Sequence, residues 1–132
     1  MYLLDTNVCI QFLNKRSQVL VERLSQKNPD EILLCSIVKA ELFYGAYKSN
    51  NPLKNLKMQR EFCGRFKSLH FDDKAADEYG IIRSDLEKKG KIIGPNDLII
   101  ASIAVANGLT LITHNVKEFS RVEDLIYEDW QE

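Results

Sequence analysis

The chain has 132 residues, 28% of them charged and 45% hydrophobic, and 18 basic against 19 acidic side chains leave a net charge of −1. This composition excludes a disordered or fibrous chain and predicts a single globular domain over residues 1–132. No apolar run is long enough to cross a bilayer and no basic, apolar leader opens the sequence, so no membrane association and a cytoplasmic location are expected.

In chain order, Tyr2-Leu3-Leu4 reads as a short buried strand ending at Asp5, with a helix from Asn7 to Leu13 behind it. Ser17 to Gln26 is a second helix, with Val19, Leu20 and Leu24 on one side. Pro29-Asp30 makes a turn into a second apolar strand, Glu31 to Cys35. Ser36 suits the N-cap of a helix running to about Tyr47.

Asn51-Pro52 opens the next helix, which sets Leu53, Leu56, Cys63 and Phe66 on one side and Lys54, Lys57 and Arg65 on another. Leu69 to Phe71 is a short third strand. Asp73 to Lys89 is a helix closed by Gly90. Gly94-Pro95-Asn96-Asp97 caps a further helix, whose run LIIASIAVA is apolar nearly all round and therefore buried. Leu109 to Thr113 makes another buried strand and Ile126-Tyr127 a final edge strand.

Apolar strands alternating with helices imply an α/β chain with a parallel sheet covered on both faces. In such sheets the ligand site lies at the carboxyl ends of the strands. That rule directs attention to Asp5, to Ser36 and to the residues after Thr113.

Several polar residues stand out there. Asp5 ends the first strand, as a cap for the following helix or as a functional acid. Glu41 has Ile37, Val38, Tyr44 and Gly45 as its helical neighbours, so it is a partly buried carboxylate. It needs either a cation such as Lys39 or a function. Asp97 heads the buried helix although Gly94, Pro95 and Asn96 already form a turn and cap. Asn115 follows the strand LTLIT at the same rim, with Glu118 one turn later.

Carboxylates gathered at one point repel, so a cation is required. Oxygen ligands without organised Cys or His favour Mg²⁺ or Mn²⁺. The matching chemistry is metal-assisted hydrolysis of a phosphodiester.

The remaining composition is compatible with this reading. Cys9, Cys35 and Cys63 form no CxxC pair and the only histidines are His70 and His114, which argues for buried reduced thiols rather than a zinc site. Between residues 48 and 67, Lys48, Lys54, Lys57, Arg60, Arg65 and Lys67 face the single acid Glu61. That stretch is either a solvated helix face or a surface for an anionic partner.

Four segments, YLLDTN, SIVKAELFYGA, IGPNDLIIASIAVANGLTLIT and THNVKEFSRV, together resemble the PIN-domain nucleases, and specifically the VapC toxins of bacterial toxin–antitoxin pairs. The resemblance spans nearly the whole chain. It implies a three-layer α/β/α fold with a short, mainly parallel central sheet and a Mg²⁺-dependent endoribonuclease activity. By this resemblance Asp5 and Asp97 are the principal metal ligands and Glu41 assists, directly or through water. Thr6, Asn7 and Ser36 match polar positions lining the same pocket.

Many PIN domains carry a fourth acid where this chain has Asn115, and Glu118 is the candidate substitute. The resemblance further implies an RNA substrate such as a tRNA or rRNA loop, a VapB-type antitoxin partner, a homodimer, and contact with operator DNA only through the antitoxin complex. Lys48 to Lys67, with Lys88, Lys89 and Lys91, would hold the RNA backbone or an acidic antitoxin segment.

Three other readings compete. A dehalogenase-type phosphohydrolase needs an acid two residues after Asp5, where this chain has Asn7. A serine hydrolase using His114 lacks a GxSxG elbow. A PIN-like module that only binds RNA or a partner has no reason to keep Asp5, Glu41 and Asp97 together.

Overall fold

A computed structural model describes all of residues 1–132. Five short strands, Tyr2–Leu4 (β1), Ile32–Cys35 (β2), Lys67–Leu69 (β3), Thr110–Ile112 (β4) and Ile126–Glu128 (β5), form one sheet in the order β3-β2-β1-β4-β5. Every pairing is parallel. The helices are Thr6–Leu13 (α1), Gln18–Ser25 (α2), Ser36–Tyr47 (α3), Pro52–Cys63 (α4), Asp73–Lys88 (α5), Pro95–Ala106 (α6) and Val116–Phe119 (α7).

The connections explain the layers. From β1 the chain steps outward through β2 to β3, carrying α1 to α4; it then crosses back to β4 on the far side of β1. Right-handed crossovers in opposite directions put the two helix sets on opposite faces. α3 accordingly packs on α1 and α4, while α5 packs on α6. This is the expected α/β arrangement, with β1 in the middle of the sheet.

The strands are apolar because both sheet faces are covered. Leu3, Leu4, Leu34, Leu111 and Ile112 are fully buried within a single cluster of 31 buried residues. α6 is buried nearly all round, as its sequence requires, and its one buried hydroxyl, Ser102, donates to the Leu98 carbonyl at 2.6 Å. Cys9, Cys35 and Cys63 are free thiols inside this core.

The structure corrects several local expectations. Ser36 is the first residue of α3, and Cys35 occupies the cap position without a side-chain bond. β3 runs from Lys67 to Leu69, ahead of the apolar Leu69–Phe71 stretch. It is an edge strand and can carry an exposed lysine. In α4 the buried stripe is Leu56, Phe62 and Cys63; Leu53 is 83% exposed and Phe66 lies beyond the helix. Phe62 instead packs between Phe12 and Phe66, at centroid distances of 5.4 and 5.2 Å. α5 does close at Gly90, whose φ of 66° suits glycine.

These positions differ sharply in expected cost. Leu111→Ala leaves a cavity in the central sheet and is expected to lower stability by about 3 kcal/mol, whereas Leu53→Ala changes it by less than about 0.5 kcal/mol. Urea midpoints of the two variants against the parent chain measure both.

Candidate active site

β1 and β4 lie side by side, yet the chain leaves them for opposite ends of the sheet. A crevice opens at such a switch point, at the carboxyl ends of the strands. Asp5 follows β1 directly and Thr113 follows β4 directly. Both are buried, Asp5 at 4% exposure and Thr113 at 0%.

Asp5 does two things at once. Its Oδ1 accepts the Val8 N–H at 2.9 Å and caps α1, while its Oδ2 accepts the Thr113 hydroxyl. Thr113 Oγ1 in turn accepts the Asn115 N–H at 3.0 Å. Burial pushes the Asp5 carboxyl up to about 6; the bonds from Thr113 and Val8 work against that shift and the Glu41 charge adds to it.

Asp97 sits in the first turn of α6, half-buried. Its carboxyl is pushed up to about 7, first by burial, then by a hydrogen bond with Glu118 and by the charges of Glu118, Asp5 and Glu41. Glu118, on α7, also accepts Asn115 Nδ2 at 3.0 Å. A connected set of bonds therefore runs from the α1 cap through Asp5, Thr113, Asn115 and Glu118 to Asp97.

Glu41 projects from α3 and accepts the Thr6 hydroxyl at 2.6 Å. No lysine or arginine is within ion-pair distance of it, so the pairing with Lys39 does not form. Asn7 is exposed and lines a cleft beside Thr6 and Glu41. Ser36 is turned elsewhere: its hydroxyl donates to the Leu69 carbonyl at 3.3 Å and stands 3.1 Å from His70 Nδ1. His114 pairs with Asp129 at 2.8 Å, with no serine beside it.

The acids share one rim but do not close into a cage, since no three of them stand close enough to hold an ion by themselves. With only their own charges present, Asp5, Glu41 and Glu118 are held by hydroxyl and amide donors. The donor set is all oxygen and open, which suits a hard divalent ion that keeps several waters. Thr113 was not expected from the sequence. The available signal is a hydroxyl closing an apolar strand at the rim where Asp5 lies.

Residues 2–125 match the PIN domain family. The chain is 43% identical over 132 residues to Ribonuclease VapC2 of Rickettsia felis, across 98% of this chain and 97% of that one. This chain belongs to the PIN-domain family. Within it, the chain is also 38% identical over 129 residues to the tRNA(fMet)-specific endonuclease VapC of Salmonella typhimurium, at 98% and 97% coverage. The crystal structure of VapBC2 from Rickettsia felis bound to a DNA fragment from their promoter matches with a TM-score of 0.90 at 43% identity, over 98% of each chain.

The resemblance carried by the four sequence segments is therefore borne out: this PIN domain is a ribonuclease of the VapC type, a hydrolase of nucleic acid. PIN-domain ribonucleases in general depend on a divalent metal, and the open oxygen rim is compatible with one.

The raised carboxyls make stability pH-dependent. Asp5 and Asp97 bind protons more tightly in the folded chain than in the unfolded one, so their contribution is present at acid pH and is lost as pH rises through about 6 to 7. At about pH 8 in chelator, Asp97→Asn is expected to stabilise the fold by roughly 1–2 kcal/mol, with the gain vanishing near pH 4. Thermal melts across that range measure it, and a variant less stable than the parent at the alkaline end contradicts the electrostatic account.

Proposed function

We propose that this chain is the toxin of a VapBC-type toxin–antitoxin pair: a Mg²⁺-dependent endoribonuclease, with Mn²⁺ able to substitute, that cuts exposed loops of tRNA or rRNA and so inhibits translation. The observation that supports it most directly is the meeting of Asp5 and Asp97 at the sheet's switch point with no cation of the chain's own among the acids. Asp5 and Asp97 are the principal metal ligands in this reading, and Glu41 completes the set directly or through water. When bound, the divalent ion supplies Lewis acidity toward water and charge neutralisation at the scissile phosphate.

The chain's own groups do the positioning. Val8 and Thr113 hold the Asp5 carboxylate in one orientation, and Thr6 does the same for Glu41. Asn115 has its Nδ2 engaged by Glu118, which leaves Oδ1 to orient the attacking water. Glu118 stands in for the fourth acid: beside Asn115 at the same rim, its carboxylate would accept the proton that the attacking water gives up once the ion has displaced the proton between Glu118 and Asp97.

The named activity of the Salmonella relative supports tRNA as substrate, and the solved complex of the Rickettsia relative supports a VapB-type antitoxin with DNA contact through that complex. A homodimer follows the same reading. No helix is long and apolar enough to cross a membrane, and a translation inhibitor acts in the cytoplasm. The exposed basic residues Lys54, Lys57 and Arg60 on α4 offer contacts to an RNA backbone. Lys89 does not, because it is paired with Asp85 and Glu123.

Purified protein is expected to cleave tRNA in the presence of Mg²⁺, with chelator or Asp97→Asn lowering the rate by about a hundredfold or more. A folded wild type that binds neither Mg²⁺ nor Mn²⁺ in the millimolar range defeats the catalytic reading. In cells, expression without the antitoxin is expected to arrest growth and Asp5→Ala to relieve the arrest. Growth curves showing equal toxicity count against the assignment.

A further inference from the structure

Beside the acid rim a cleft of about 520 Å³ opens along α3, in the size range of sites that receive a small molecule. Glu41, Tyr44 and the C-cap residue Lys48 follow one another at a helical turn apart, so all three line one side of the cleft. Tyr44 is 65% exposed, too open to serve the core. Lys48 Nζ stands 4.7 Å from the centroid of its ring, in cation–π contact. Between them lies Gly45, inside a helix, where glycine is a poor helix former. A Cβ there would meet no atom within 4 Å, so no close packing demands glycine. A side chain at 45 would take up room in the cleft that Gly45 lines.

We propose that this lip of α3 is the seat of one unpaired RNA base: Tyr44 stacks on the base, Lys48 takes an adjoining phosphate, and Gly45 keeps the space between them clear. An exposed aromatic beside a lysine is how proteins bind single strands, because every base has a face to stack and a phosphate beside it. Asn7 and Asn96, on the cleft's other wall, carry both donors and acceptors, as the edge of a base requires. A base inside a duplex cannot reach such a seat, so the lip selects for loops. The proposal rests on the ribonuclease reading and adds the groups that choose the strand.

The test combines cleavage kinetics on an initiator-tRNA transcript with fluorescence of a single-stranded RNA carrying 2-aminopurine, bound in chelator. Tyr44→Ala is expected to raise KM about tenfold with kcat changed less than about threefold, and to abolish the fluorescence change that stacking produces. Tyr44→Phe and Tyr44→Trp keep both properties. Gly45→Leu raises KM while its Tm stays at or above that of the parent chain, which a merely structural glycine would not do. Lys48→Ala reduces the salt dependence of binding by about one unit of slope.

Wild-type KM and wild-type fluorescence in Tyr44→Ala overturn the seat. So does a Tyr44→Ala variant that processes RNA normally but loses its antitoxin, since the lip then serves a protein. A parent chain that changes the 2-aminopurine signal but cleaves no RNA overturns the nuclease reading and upholds the seat.

Discussion

The contact on which the site depends is the hydrogen bond between Thr113 and Asp5, made across neighbouring strands where the chain leaves in two directions. It ties the end of β4 to the end of β1 and leaves Asp5 little freedom to turn. The backbone N–H of Val8 fixes the other carboxylate oxygen, so a helix cap and a strand-end tether share one side chain. Through Asn115 the same contact reaches Glu118 and then Asp97 on α6. An acid just past the first strand and an acid on the sixth helix thereby belong to one bonded set, although most of the chain separates them.

That set is electrostatically unfinished. Burial and the charges of neighbouring acids raise Asp5 and Asp97, and no lysine or arginine pairs with them. A protein selected for stability alone would have put a lysine or apolar groups there. The cost is tolerated because the core around it is continuous: β1, β4 and α6 are buried almost completely. Stability held in the sheet supports a rim that is itself destabilised, a distribution common at functional sites.

The acids were legible in the sequence because their surroundings are so apolar. Asp5 breaks the run Tyr2-Leu3-Leu4, Glu41 sits among Ile37, Val38 and Tyr44, and Asp97 heads a helix with no polar face. Thr113 was not legible: threonine is an ordinary strand residue, and its partner lies 108 residues away. α7 has only four residues, too few to show a helical period. β3 escaped its expected bounds because an edge strand does not need an apolar run. Ser36 and Asp5 both suited a cap, and only Asp5 makes one; the choice was decided by hydroxyl partners on β3 and the following residue, which a local motif cannot report.

The three cysteines carry a practical consequence. All are enclosed by the core, and burial raises each thiol above its ordinary value, which lowers its thiolate fraction. Reaction of these thiols in the folded chain is therefore slower than that of an exposed cysteine. A single cysteine introduced at the exposed position 53 becomes a selective chemical handle on α4, with no need to strip the protein of its own sulfur first.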